Sequence, residues 1–106
     1  MRSTDEIMNV FIANFELGVS NEKNQLNFAG AFVAVAVVAP EIRKALDWAE
    51  KALLEDGYQI RIIEGIQLYD PDEVLDEELE RIAQEASNTG AITYGQFYTY
   101  EKSELQ

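Results

Sequence analysis

Cysteine and histidine are both missing from this chain, and each absence closes off a block of chemistry. Without cysteine there is no disulfide, no thiolate metal site and no thiol nucleophile. Without histidine there is no Ser-His-Asp arrangement, no imidazole base near neutral pH and no imidazole metal ligand. Basic residues are scarce as well: 8 Lys and Arg stand against 20 Asp and Glu, a net charge of −12. Such a chain repels nucleic acid and anionic lipid and attracts basic surfaces. The glycines in "AGAF" and "EGIQ" are isolated and form no phosphate-cradling loop. The longest apolar run, "FAGAFVAVAVVAP", falls short of the roughly 20 residues that span a bilayer. The N-terminal "MRSTDEIMNVF" is polar and acidic, unlike a signal peptide. These absences predict a cytoplasmic protein without cofactor, catalytic residues, membrane or nucleic-acid partner.

What is present suffices for a fold. The 106 residues are 47% hydrophobic, enough for one domain that buries roughly two-thirds of its unfolded surface. Residues 1–5 and 101–106 are expected to fray. Ile7 to Leu17 and Leu26 to Ala39 read as two strands of an antiparallel hairpin, joined through the polar "GVSNEKNQ". The second strand is apolar on both faces, with Phe28, Phe32, Ala34, Ala36 and Val38 on one and Ala29, Ala31, Val33, Val35 and Val37 on the other. Such a strand belongs in the middle of a sheet.

Pro40 suits the first turn of a helix running to Asp56, with Gly57 as its stop. Its buried stripe is Ile42, Ala45, Leu46, Ala49 and Leu53. "YQIRIIEGIQLY" alternates as a third strand: Tyr58, Ile60, Ile62, Ile66 and Leu68 face one way, and Arg61, Ile63 and Gln67 the other. Gly65 marks a bulge in it. A second helix ends near Ser87, and Ala91 to Tyr100 forms an aromatic fourth strand. The order β-β-α-β-α-β predicts an α+β two-layer sandwich: a four-stranded, mostly antiparallel sheet with both helices on one face. If the second and third strands run parallel in that sheet, their crossover is right-handed.

The feature that asks for a function is "YDPDEVLDEELER", seven carboxylates and one arginine between Tyr69 and Arg81. Asp70 as N-cap, Pro71 at the first helical position and Glu73 at the third would begin the second helix. Leu75, Leu79, Ile82, Ala83 and Ala86 would be buried, leaving Glu73, Glu77, Glu80 and Gln84 on the outer face. Like charges at that spacing oppose one another, with Arg81 offsetting Glu77 alone, so the face suits a basic partner. A calcium loop is a poor match, because the sixth position is not glycine and the stretch reads as helix. No metal site is expected.

Trp48 projects off the buried stripe of the first helix, where it could anchor an interface. Tyr94, Tyr98 and Tyr100 share a face of the fourth strand, with Phe97 opposite. With both helices on one side, the far side of the sheet needs a partner or a second copy to cover it. Size, acidity and the lack of catalytic residues resemble bacterial toxin-immunity proteins that cap nucleases, a resemblance of kind rather than of motif. It implies a non-enzymatic protein that neutralises a basic protein partner, such as a nuclease toxin. Glu73, Glu77 and Glu80 would meet its cations, with Trp48, Tyr94 or Tyr98 as anchor. A nucleic-acid mimic belongs to the same class. The alternative is a small-ligand-binding or regulatory domain that forms a homodimer through the open sheet face.

Overall fold

A computed structural model describes residues 8–19, 28–73 and 76–101, with the side chains of Val19, Phe28 and Glu101 left out. The expected frayed N-terminus, most of the hairpin connection and residues 102–106 lie outside the described residues. β1 (Asn9–Val19) and β2 (Phe28–Ala39) pair antiparallel from Asn9↔Ala39 to Leu17↔Ala31. β3 (Tyr58–Leu68) lies antiparallel on the other side of β1. β4 (Thr93–Tyr94) and β5 (Tyr98–Glu101) follow one another along the far side of β2, so the order is β3-β1-β2-β4/β5. β2 and β3 therefore run parallel, one strand apart, joined by helix α1 (Ile42–Glu55). Helix α2 (Glu77–Thr89) connects β3 at one edge to β4 at the other. The mixed α+β fold and the antiparallel sheet are those the sequence predicts.

The placement of both helices on one face requires correction. Ala45, Ala49 and Leu53 of α1 pack with Phe11, Ala13, Phe15, Val33 and Val35. Ile82, Ala83 and Ala86 of α2 pack with Ile12, Ala34 and Ala36. Those strand residues alternate, so the helices lie on opposite faces and each makes its own helix-on-sheet core. The physical reason is β2 itself: a strand apolar on both faces leaves a large dry area uncovered unless a helix lies on each.

Two irregularities re-aim side chains that strict alternation misplaces. The β1–β3 register shifts on either side of Phe15 and Glu16, leaving Glu64 and Arg61 out of the pairing. Ile63 thus opposes Phe15 on the α1 face, whereas Ile62 opposes Glu16 on the α2 face. One residue is likewise inserted between Tyr94↔Val35 and Tyr98↔Phe32, which splits the expected fourth strand into β4 and β5. Tyr94 and Phe97 consequently meet edge-to-face at 5.9 Å in the α1-side core, instead of pointing apart. Pro40 precedes α1 rather than opening it: Glu41 is the N-cap, and Asp56 and Gly57 (φ 94°) close the other end.

Candidate functional site

The acidic stretch does not start α2 where its first aspartate suggests. The Asp70 side chain accepts the Asp72 N–H at 2.9 Å, and its carbonyl accepts the Glu73 N–H at 3.0 Å. This is an Asx-stabilised turn with Pro71 at its preferred second position. The N-cap is Asp76, whose Oδ1 accepts the Leu79 N–H at 2.9 Å. Glu77, Glu78 and Glu80 then fill the first turn, where carboxylates offset the positive end of the helix dipole.

The predicted glutamate face is therefore broken up. Glu73 lies in the turn ahead of the helix, and Glu77 stays exposed. Glu80 is half-buried and taken: the Tyr69 hydroxyl donates to its Oε2 at 2.8 Å and lies 3.2 Å from Oε1. That bond, with some burial, holds the Tyr69 hydroxyl protonated above its usual range. Arg81 pairs with Glu85 at 3.5 Å instead of Glu77. Trp48 is 40% exposed but belongs to α1, on the opposite face of the sheet from the glutamates. Tyr94 is on that α1 side too, its hydroxyl donating to Asp56 Oδ2 at 2.8 Å. Of the expected partner-binding residues, only Tyr98 lines the cleft found at the start of α2, although Glu77 and Glu80 belong to the first turn of that helix.

That cleft, apart from Tyr98, is built from residues that sequence patterning does not single out as a site. Helix α2 covers the sheet over Ile12, Ala34 and Ala36, and beyond its N-terminus no helix among the described residues covers the same face. Phe32 is 38% exposed on it, and Ile62 and Tyr98 are each 51% exposed. A cleft of about 150 Å³ lies between Phe32, Tyr98 and Leu79, with Asn14 on its floor and Glu64, Asp76 and Glu78 around its rim. Each rim carboxylate is placed by a local rule. Glu64 is the residue bulged out beside Gly65, Asp76 is the helix cap, and Glu78 reaches across to β5. Glu78 accepts the Gln96 N–H through Oε2, and the Tyr98 hydroxyl donates to its Oε1 at 3.2 Å. This bond raises the Tyr98 pKa, so the hydroxyl stays a donor and fixes the ring.

The far end of the open face is closed by side chains. The Tyr100 ring lies over Gly30, where an added Cβ would come within 2.6 Å of the Tyr100 hydroxyl oxygen and 2.5 Å of the Leu17 carbonyl. Tyr100 donates to Glu16 and accepts from Arg61 Nη1 at 3.2 Å. Its ring sits 5.4 Å from that of Phe32, bracing the cleft wall.

Chemically, the cleft offers aromatic and aliphatic walls under a negative rim. Among the described residues, no three carboxylates converge as a metal-ligand set. Small-molecule sites commonly enclose about 300–1,000 Å³; this cleft, at about 150 Å³, is smaller. No helix among the described residues is long and apolar enough to cross a membrane. Fold and cleft together define a small acidic α+β protein with an open, acid-rimmed sheet face. Compared with known proteins, the chain matches no family model, no curated protein sequence and no solved structure.

Proposed function

We propose that this is a non-enzymatic interaction protein that binds and neutralises a basic protein partner, in the manner of a toxin-immunity protein or nucleic-acid mimic. The observation that carries this reading is the part of the α2 face that no described helix covers, where exposed Phe32, Ile62 and Tyr98 lie near Glu64, Asp76 and Glu78. Apolar area gives the docked state its stability, and a chain of net charge −12 steers a basic partner toward it. The acidic docking surface of this proposal lies around the start of α2, not along the outer stripe of that helix. Charge steering of this kind weakens once the screening length falls to a few ångströms. Binding of a hexa-arginine peptide, followed by calorimetry from roughly 0.05 to 0.5 M salt, tests it. Binding that falls steeply with salt supports the reading; absence of binding at the lowest salt sinks it.

The same exposed apolar residues also support a second reading, a regulatory domain that dimerises through this face. Sedimentation of the protein at micromolar concentration separates the two: a 12.0 kDa species removes the dimer.

A further inference from the structure

The uncovered groove is specific enough to name its occupant. We propose that the cleft between Phe32 and Tyr98 seats an arginine side chain of the basic partner, an inference that rests on the reading above. Three observations select arginine. The volume, about 150 Å³, fits the end of one side chain. Both walls are exposed aromatic rings held in place by neighbours, Phe32 by the Tyr100 ring and Tyr98 by its bond to Glu78. A planar guanidinium stacks on such faces, whereas an ammonium keeps its hydration shell. The rim, finally, is acidic at three points, and no basic residue lines the cleft among the described residues. Asp76 spends Oδ1 on the Leu79 N–H; its Oδ2 and the Glu64 carboxylate present the planar acceptors that match the guanidinium fork.

Gly65 supplies the means of blocking the site without dismantling it. It opposes Asn14 on the cleft floor, and a Cβ built there would meet nothing within 4 Å. Gly65→Phe therefore grows a ring into open space beside the cleft.

The test is a heteronuclear NMR titration of the full chain with three peptides on one Gly-Ser frame. The first carries a single arginine, the second lysine in its place, and the third the neutral isostere citrulline. Hexalysine serves as the charge control. The arginine peptide is expected to shift Phe32, Gly65, Glu78 and Tyr98. It should bind about two- to five-fold more tightly than the lysine peptide, the ratio that a cation–π contact at an exposed site supplies. Phe32→Leu should erase that preference, and Gly65→Phe should abolish the local shifts while hexalysine still binds. Equal binding of the arginine and citrulline peptides, or shifts confined to other surfaces, overturns the inference. If hexalysine binds but the arginine peptide leaves the cleft untouched, the basic-partner reading stands and the arginine seat falls. If neither binds, both fall.

Discussion

Tyrosine hydroxyls do much of the tying in this molecule. Tyr69, Tyr94, Tyr98 and Tyr100 each donate to a carboxylate of another element or turn: Glu80, Asp56, Glu78 and Glu16. All four are pushed above the ordinary tyrosine range. Tyr94 is displaced farthest, first by burial in the α1-side core and then by its bond to Asp56. Since the folded state favours the neutral phenol, this contribution is complete below the unfolded tyrosine pKa of about 10 and disappears as pH rises toward the folded value. Urea unfolding followed from pH 8 upward should show stability falling once pH passes about 10. Tyr94→Phe, which cannot ionise, should flatten that fall; an unchanged slope in the variant contradicts it. None of these pairings was legible in the sequence. The donors and acceptors are brought together by the sheet register and the start of α2, and no spacing along the chain records them.

Elements were far more legible than their ends. The strand and helix segments, and the buried stripe Ile82, Ala83 and Ala86, follow from periodicity alone. The start of α2 does not, because Asp70 and Asp76 are both good N-caps and Pro71 suits a turn as well as a helix. Tyr69 settles the choice. It continues the sheet by donating its N–H to the Val10 carbonyl at 2.8 Å, and Asp70 then closes the turn that follows. Asp76→Ala should accordingly lower the stability of the protein by about 1 kcal/mol, with Asp76→Asn nearly neutral, measured by denaturant midpoint. Equal loss in both variants would show that Asp76 is not acting as a cap. Strand alternation failed at inserted residues: Glu64 beside Gly65 and Arg61 in β3, which between them flip only Ile62 and Ile63, and one after Tyr94, which flips the side chains that follow. Those insertions matter here because the first of them pushes Glu64 to the rim of the cleft.

At the scale of the whole molecule, a helix on each face reconciles the all-apolar β2 with a small protein. The sequence showed that β2 needed cover on both sides, but not that α2 would supply it. Nothing local distinguishes a helix that crosses above the sheet from one that crosses below. Ile82 is fully buried against Ile12, Ala34 and Ala36, so Ile82→Ala should cost about 2–5 kcal/mol. A near-neutral result would mean that this face is open. Because α2 is shorter than the face it covers, part of that surface is left without a helix over it among the described residues, and the proposed docking site is that remainder. The measurement that bears most directly on this account is the affinity of the hexa-arginine peptide at low salt for a rim-neutralised protein. Glu64→Gln, Asp76→Asn and Glu78→Gln together keep the cap and side-chain size while removing the charge. A control matched in charge, Glu55→Gln with Glu73→Gln and Glu77→Gln, removes three carboxylates that do not line the cleft. The rim variant should bind several-fold more weakly with a shallower salt dependence than the control. Equal affinities in the two would contradict the site.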